Sequence, residues 1–260
     1  MAGYRDWIEA IDINIDYFSA FMKAWIAFNA WYNFSGEVPE GTDQKCIEFI
    51  SEQSNRFKTY MTNLLNATDS EGLTYQDNVV KLHESLLNAA ITTQEFIGVR
   101  HQISFSEVAV KNKNNLEKFD YSSIHYECSR AHGKITTIVK NNRTGVELLN
   151  IEQDEYDEDA LRQQSLYMQL SETQKGKCLQ CYEKLNPYII TSVLDTSERA
   201  RKIGVYSFVN DSSKISQAII TILYMLRCCL AHGDISPDEA ANKVYKYAYE
   251  VIVPPLKKLL

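Results

Sequence analysis

Apolar residues recur every three or four positions along the first 34 residues, which is the period of an amphipathic helix. The pattern predicts one long helix from Tyr4 to Phe34. Its main apolar stripe consists of Trp7, Ile11, Ile15, Phe18, Met22, Trp25 and Tyr32. A second line beside it consists of Tyr17, Phe21, Ala24, Phe28 and Trp31. We therefore expect a central helix that is covered on more than one side.

Further helices are expected on both sides of the middle of the chain. Residues that break helices follow Phe34, and the apolar period then predicts helices over Thr42–Asn66 and Tyr75–Phe96. Beyond residue 152, similar patterns predict helices through Leu161 to Leu170 and from Gln174 to Leu185. The chain has only 5 prolines and 10 glycines, which suits long helices.

Between residues 99 and 151 the period of the pattern changes. Ile124, Tyr126 and Cys128 alternate with polar residues, as in a strand with one buried face. Further along, the turn-forming run Asn141–Thr144 separates two short stretches, Lys134–Lys140 and Gly145–Ile151, that can pair as a hairpin. The pattern predicts a small antiparallel sheet inserted into a helical protein.

The predicted fold class is therefore mainly α, a helical bundle with a small inserted antiparallel β-sheet. The helical part comprises residues 1–98 and 152–260, and the inserted sheet comprises residues 99–151. At 260 residues with 45% hydrophobic residues, the chain can bury a full core as one large domain or as one domain with an insertion.

Composition also limits the location and the partners that we expect. The chain shows neither a basic segment followed by an apolar core at its start nor an apolar run of the ~18 residues that span a bilayer. Six cysteines without such a signal fit a reducing compartment, so the prediction is a cytoplasmic protein without membrane contact. The net charge of −7 argues against broad coating of nucleic acid, so any RNA would be bound in a confined cleft.

Two groups of residues raise the question of a metal site. Cys178 and Cys181 form a single CxxC pair without two further ligands at comparable spacing, so we interpret them as core thiols. Six acidic residues cluster between Glu152 and Asp159, immediately before a predicted helix, where carboxylates favour the positive end of the helix dipole. We predict no metal and no cofactor.

The segment from Ala218 to His232 carries the candidate chemistry. It is apolar almost all round, which predicts a helix packed on several faces, yet it contains Arg227. An arginine cannot give up its charge, so a position among buried neighbours requires a carboxylate, a partner subunit or an anionic ligand.

His232 is expected at the C-terminal end of that helix. Gly233 follows it, and the run from Ser236 to Glu239 has the pattern of a capping box with Pro237 at the first helical position. Near the helix end the backbone can turn, so the imidazole can swing towards Arg227. The arginine could then bind a phosphate while the histidine moves protons. The alternative is an arginine at a helix edge and a histidine that caps the last carbonyls.

The same segment resembles the motif of the HEPN family, an arginine and a histidine separated by four to six residues, here Arg227 and His232 continuing as Gly233-Asp234. The stretch Trp25–Tyr32 is similar to the long first helix of ApeA-like bacterial HEPN proteins. Together the two likenesses cover about half the chain. The predicted inserted sheet is outside the minimal family pattern.

The resemblance implies a homodimer in which two copies of the motif meet in one cleft. It also implies metal-independent RNA cleavage, by attack of a ribose 2′-hydroxyl on the adjacent phosphate. His232 would be the general acid or base, and Arg227 would stabilise the negative charge that develops on the phosphate. The family further implies a role in bacterial antiviral defence or as a toxin, with an antitoxin or another defence protein as partner.

This chain departs from the family pattern at two positions. Cys228 stands after the arginine, where family members often have Asn, Asp or His, and a thiol is a weak hydrogen-bonding group. Asp234 occupies the position at which some HEPN toxins carry the tyrosine that is adenylylated, so we do not predict that form of control.

Two further sites have alternative interpretations. Asn29 lies on the apolar stripe of the first helix, where it could orient Arg227, contact RNA or bond a neighbouring backbone group. The segment from Arg130 to Gly133 includes His132 and superficially repeats the candidate motif, but it lies where a strand meets a turn. We interpret that segment as turn chemistry and assign no role to His83, His101 or His125.

The leading hypothesis is an RNA endonuclease, with Arg227 and His232 as catalytic residues and Asn29, Cys228 and Asp234 as supporting ones. The first alternative is a non-catalytic HEPN domain that binds a nucleotide, RNA or a protein partner, which Cys228 favours. The second is a scaffold whose sheet recruits a partner through an edge strand. The sequence contains neither a Walker phosphate loop, nor an HExxH zinc motif, nor a GxSxG elbow.

Overall fold

The computed structural model describes residues 16–93 and 101–260. The chain divides into two compact units. One combines Met1–Ala109 with Ile190–Leu260, and the other is Val110–Ile189. The second unit thus begins within the predicted insertion and extends past its predicted end at residue 151.

The helices in chain order are α1 (Tyr17–Phe34), α2 (Asp43–Glu52), α3 (Arg56–Asn66), α4 (Ser70–Ala89), α5 (Glu158–Arg162), α6 (Ser165–Met168), α7 (Glu172–Glu183), α8 (Ser212–Ala231) and α9 (Glu239–Lys257). The strands are β1 (Val108–Lys111), β2 (Leu116–Tyr121), β3 (Ile124–Ala131), β4 (Lys134–Asn141), β5 (Glu147–Gln153), β6 (Tyr188–Thr191), β7 (Arg201–Ile203) and β8 (Tyr206–Phe208). The chain passes between the units through β1 and β6, which pair as a two-stranded sheet.

Helix α1 begins at Tyr17 because Asp16 caps it. The Asp16 carboxylate accepts a hydrogen bond from the backbone N–H of Ser19 at 2.9 Å, and its ψ of 128° is extended. The predicted start at Tyr4 and the apolar positions Trp7, Ile11 and Ile15 lie outside the described residues. The buried side carries Phe18, Phe21, Ala24, Trp25, Phe28 and Tyr32. The side that carries Ile26 and Phe34 is exposed.

The predicted helix over Thr42–Asn66 is in fact two helices, α2 and α3. Asn55 separates them: its side-chain amide donates to the carbonyl of Ile50 at 2.8 Å, and its side-chain oxygen accepts from the N–H of Lys58 at 2.9 Å. One side chain therefore provides a hydrogen-bond partner for a free carbonyl at the end of α2 and for a free N–H at the start of α3. Helix α4 ends at Ala89 and is followed by Ala90 in the left-handed region, so it stops before the predicted end at Phe96, which lies outside the described residues.

The first unit is built around α8 and α9. Helix α9 packs against α1 and α4, and α8 packs against α2 and α3. Aromatic rings fill the spaces between these helices; for example, Phe28 of α1 lies 4.4 Å from Phe57 of α3 between ring centroids, and Phe18 lies 4.8 Å from Tyr245. Trp25 of α1 also packs against Tyr224 in the C-terminal half of α8, with ring centroids 6.1 Å apart.

The second unit contains an antiparallel sheet in the order β2-β3-β4-β5. Tyr126 pairs with Phe119 on one side and Val139 on the other, so all three lie on the same face. The predicted alternation in β3 is confirmed, since Ile124, Tyr126 and Cys128 are buried and their neighbours are not. The predicted hairpin is confirmed as β4 and β5. Helix α7 covers the buried face of β2, β3 and β4.

The predicted fold class is wrong. About 50% of the described residues are helical and about 20% are in strands, and a four-stranded antiparallel sheet is accompanied by two small sheets, so the fold is mixed α/β and not mainly helical. The strands β1, β6, β7 and β8 have only three or four residues each. Such segments are too short for a two-residue period to stand out from noise in the sequence.

Helix α8 is long and apolar enough to cross a membrane by length and composition, with a mean hydropathy of 1.4 over its most apolar 18 residues, but 61% of those residues are buried inside the protein. Burial by other helices is typical of a core helix, so α8 is consistent with a soluble protein.

Candidate active site

The C-terminal end of α8 is closed by a Schellman motif. Gly233 has a φ of +71°, the N–H of Asp234 donates to the carbonyl of Cys229 at 2.9 Å, and the N–H of Gly233 donates to the carbonyl of Leu230 at 3.3 Å. The prediction that Gly233 ends this helix is confirmed, and His232 is the C-cap residue.

The start of the next helix differs from the prediction. Asp238, not Ser236, is the N-cap of α9, and its carboxylate accepts from the N–H of Ala241 at 2.8 Å. Pro237 therefore precedes the cap. The capping-box interpretation was wrong by two residues because Asp238 is itself a strong N-cap and competes with the serine.

Arg227 is half-buried on α8 and forms an ion pair with Asp43. Its Nη2 donates to Asp43 Oδ2 at 3.1 Å, and 27% of the arginine side chain remains exposed. Asp43 is the first residue of α2, directly after the N-cap Thr42. The buried Nε of Arg227 has no partner among the described residues. Arg227 needs a counter-charge because its surroundings are apolar, and the carboxylate of Asp43 supplies it.

The second oxygen of the Asp43 carboxylate accepts two further hydrogen bonds. Its Oδ1 accepts from the hydroxyl of Tyr32 at 3.1 Å and from the amide of Asn29 at 3.4 Å. Asn29 also donates to the Tyr32 oxygen. We call Asn29, Tyr32, Asp43 and Arg227 the Asp43 cluster. Asn29 is therefore joined to Arg227 through one shared carboxylate and not by direct contact.

Burial, reinforced by the charge of Asp43, raises the pKa of Tyr32. The phenol therefore stays protonated over the whole working range of pH and can donate to the carboxylate. A single carboxylate that accepts from a phenol, an amide and a guanidinium is held in one orientation, and it holds Arg227 in turn.

Cys228 adjoins the Asp43 cluster and is half-buried. Burial raises the pKa of its thiol, and hydrogen bonding with Tyr224 and with Arg227 opposes that shift. The thiol is therefore a neutral neighbour of Arg227 near pH 7. It contributes a weak contact where a carboxylate or an amide would give a strong one.

His232 lies at the surface at the C-terminal end of α8. Its side chain is exposed, and the imidazole forms no hydrogen bond or ion pair with any residue in the described ranges. The protein does not join Arg227 and His232 by a hydrogen bond within one chain, because residues five apart on a helix point ~140° from each other. Asp234 contributes its backbone N–H to the helix end, and its charge lies close to the thiol of Cys229.

Sequence reasoning missed Asp43, Tyr32 and Tyr224. Asp43 resembles any acidic residue in the first turn of a helix, and Tyr32 resembles any aromatic residue on an apolar stripe. The one available signal was Asn29: a second polar group on that stripe, one turn from Tyr32, indicates that the buried side of α1 meets something polar.

The other groups considered in the sequence have structural roles. Cys128, Cys178 and Cys181 are buried in the core of the second unit, and burial raises the pKa of Cys178 to about 12. No group of three His, Cys, Asp or Glu residues in the described part of the chain is arranged to hold a metal ion. His132 and Gly133 form the two-residue turn between β3 and β4, as expected for turn chemistry.

Comparisons with protein-family models, with curated proteins and with solved structures found no significant match to this chain. The likeness to the HEPN family thus rests on the residues quoted above, and what the site can do follows from its own chemistry.

Proposed function

We propose that this protein is a metal-independent RNA endonuclease of HEPN type, with Arg227 and His232 as its catalytic residues. The observation that carries the proposal is a half-buried arginine that an organised polar cluster holds in place, followed by an exposed histidine at the end of the same helix. Both residue types match the charge and the proton transfers of phosphodiester cleavage.

Arg227 is suited to binding a phosphate because its bond to Asp43 uses only part of its five N–H donors. The carboxylate fixes the guanidinium before the substrate arrives, so little conformational entropy is lost on binding. An immobilised arginine can then stabilise the charge that grows on the phosphate oxygens during the reaction.

His232 is suited to proton transfer because its ring is exposed and free of competing bonds within the described chain. Cleavage by the 2′-hydroxyl requires a base that removes its proton and an acid that protonates the departing 5′-oxygen. Each chain offers one histidine at the site. We therefore propose a homodimer in which the two copies of His232 divide these tasks and the two copies of Arg227 offer the phosphate the N–H donors that Asp43 does not use.

The wider setting follows from the same resemblance. The proposal places the enzyme in the cytoplasm, in a bacterial defence or toxin system, with RNA as substrate and an antitoxin or another defence protein as partner. Asn29 and Cys228 would support Arg227, and Asp234 would support the turn that carries His232.

The second candidate is a non-catalytic domain that binds a nucleotide, RNA or a protein partner at the same place. The ion pair between Arg227 and Asp43 favours it, since a neutralised arginine can serve as a structural anchor. The thiol of Cys228 beside the arginine favours it as well.

RNA cleavage by the purified protein separates the two candidates. Wild type, Arg227→Ala and His232→Ala are incubated with a labelled RNA and a chelator, and the products are resolved on a gel. We expect wild type to cleave and each variant to be at least about 100-fold slower, the usual loss when a general acid–base or charge-stabilising group is removed. The 2′-deoxy substrate should remain intact.

Arg130→Ala and His132→Ala are the matched controls, because they remove the same residue types from the other Arg-and-His segment. Both should cleave at close to the wild-type rate. A folded, dimeric wild type that cuts no RNA would overturn the nuclease and leave the binding function. Equal rates in wild type and the Arg227 and His232 variants would show that the activity has another site.

A further inference from the structure

A groove of about 510 Å³ lies between α4 and α9, apart from the Asp43 cluster. The two helices run antiparallel there: Lys258 pairs with Glu71 at 2.9 Å, and further along Lys81 lies over the ring of Tyr247. The volume is within the ~300–1,000 Å³ that small-molecule sites occupy.

One end of the groove favours an anion. Lys257 and Lys258 line it together with the hydroxyl-bearing Ser70 and Thr74, and Glu71 neutralises one of the two lysines. Lys257 forms no ion pair with any residue in the described ranges.

The other end offers hydrogen-bond acceptors. Asn78 and Glu250 line it, and the half-buried carboxylate of Glu250 has no ion pair within the described ranges. Pro254 stands four residues after Glu250 inside α9 and has no N–H, so the backbone carbonyl of Glu250 lacks its usual helical donor. A ligand group with N–H donors would satisfy these oxygens.

Tyr75 forms part of the wall between the two ends. Its side chain is only 1% exposed, and its hydroxyl has no hydrogen-bond partner among the described residues. The hydroxyl has no accessible surface, so Tyr75 offers a ligand in the groove only the edge of its ring. Val253 and Pro254 supply apolar surface beside it.

The spacing of the two ends limits the ligand. Glu250 and Lys257 are seven positions apart on α9, and Glu71 and Asn78 are seven positions apart on α4, which corresponds to about 10 Å along each helix at ~1.5 Å per residue. A nucleoside monophosphate places a phosphate and the amino-bearing edge of its base about that far apart. We propose that this groove binds a nucleoside monophosphate, with the phosphate at Lys257, the ribose beside Tyr75 and an amino group of the base at Glu250 and Asn78.

Calorimetric titration of the full chain with AMP, CMP, GMP and UMP tests the site. At least one of the first three should bind saturably, and UMP, whose base lacks an exocyclic amino group, should bind at least about tenfold more weakly. Inorganic phosphate and ribose should each bind more weakly still. No saturable binding of any of the four nucleotides up to millimolar concentration would overturn the proposal.

Single substitutions then locate the binding. Asn78→Ala, Lys257→Ala and Glu250→Gln should each weaken binding by about tenfold, whereas Lys243→Ala, an exposed lysine of the same helix outside the groove, should not. Tyr75→Phe is a second control, because it removes a hydroxyl that the ligand cannot reach and should leave the affinity unchanged. Affinities unchanged in all three groove variants would overturn the site.

Arg227→Ala separates this proposal from the ribonuclease. We expect that variant to bind the nucleotide with wild-type affinity, and its loss of binding would assign the nucleotide to the Asp43 cluster instead. The titration does not depend on RNA cleavage. A protein that cuts no RNA can still bind the nucleotide in this groove, and a protein that binds no nucleotide here can still cut RNA.

Discussion

Two segments of this chain place an arginine shortly before a His-Gly pair, and they have different structures. Arg227 and His232 lie at the end of a long buried helix, where Gly233 has a φ of +71° and closes a Schellman motif. Arg130 and His132 lie at the end of β3, where His132 and Gly133 have φ values of +53° and +80° and form a two-residue hairpin turn.

The difference teaches that these residue types do not make a site by themselves. Arg227 meets the carboxylate of Asp43, which the fold brings from another helix, and that carboxylate is shared with Tyr32 and Asn29. Arg130 belongs to a sheet, where its backbone N–H bonds the carbonyl of Asn115 at 2.8 Å. An organised counter-charge is present at the first segment, whereas the second has the geometry of a turn.

Removing Asp43 should have the largest effect, because it removes the carboxylate partner that distinguishes Arg227 from Arg130. Asp43→Ala leaves a half-buried guanidinium and a buried phenol without their shared acceptor. We expect a loss of about 1–2 kcal/mol in the free energy of unfolding, between the values for exposed and buried ion pairs. RNA cleavage should fall at least about tenfold, because Arg227 is no longer held.

Asp43→Asn is the matched variant, since it keeps the size and the acceptor oxygen. Urea denaturation and the cleavage assay should place it between wild type and Asp43→Ala. Faster cleavage by Asp43→Ala would instead identify Asp43 as a group that competes with the substrate for Arg227, and a stability equal to wild type would contradict the structural role.

Alanine at the two glycines sharpens the comparison next. Nothing lies within 4 Å of a Cβ added at Gly233 or at Gly133, and both have positive φ, so each substitution should cost about 1–2 kcal/mol through backbone strain alone. Thermal unfolding measures that cost. Gly233→Ala alone should also slow RNA cleavage, because it alters the turn that carries His232. Equal slowing by Gly133→Ala would remove the distinction between the two segments.

Tyr245→Phe tests how α8 is anchored just before Arg227. The hydroxyl of Tyr245 donates to the carbonyl of Leu226 at 2.7 Å in the buried interface of α8 and α9. Loss of one neutral hydrogen bond should lower the free energy of unfolding by about 1 kcal/mol. Tyr249→Phe on the same helix is the control and should change it by less. A Tyr245 variant as stable as wild type would show that the bond does not stabilise α8.

The smallest effects concern two histidines that should respond to pH in opposite directions. A hydrogen bond that His125 donates to Asp120, helped by a second one to Glu127, raises the pKa of His125 in the sheet. Protonated His125 therefore stabilises the folded protein. This contribution is fully present below about pH 6.5, the pKa of histidine in the unfolded chain, and is lost as the pH rises through the higher pKa of His125 in the folded protein. Burial lowers the pKa of His83, so the neutral ring is the form that suits the folded protein. The contribution of His83 to stability is fully present above about pH 6.5 and is lost as the pH falls through the lower pKa that His83 has in the folded protein.

His125→Gln and His83→Phe test this pair. The free energy of unfolding is measured for each variant and for wild type between pH 5 and 8. The deficit of His125→Gln should shrink as the pH rises, and His83→Phe should make unfolding less sensitive to acid. Parallel curves for wild type and a variant would show that the histidine in question does not couple to folding.

A good part of the fold could be predicted from local pattern. The alternation in β3 and the turn after Asn141 specified the sheet, because a two-residue period with turn residues admits few other structures. The end of α8 at Gly233 followed from the need for a left-handed residue after a helix. Features that depend on one competing side chain, such as the break at Asn55 and the cap at Asp238, could not be predicted reliably.

For the candidate site, the sequence by itself determined that a charge lies in an apolar helix, that a histidine follows at its end, and that a polar residue interrupts the buried side of α1. Only the tertiary structure decided that Asp43 forms an ion pair with Arg227 and connects Asn29 and Tyr32 to it. Only the tertiary structure decided, too, that the fold is mixed α/β. The physical reason is the range of the interactions. Helix periods and caps act over a few residues, whereas an ion pair between residues 43 and 227 and the pairing of very short strands exist only after the chain has been packed.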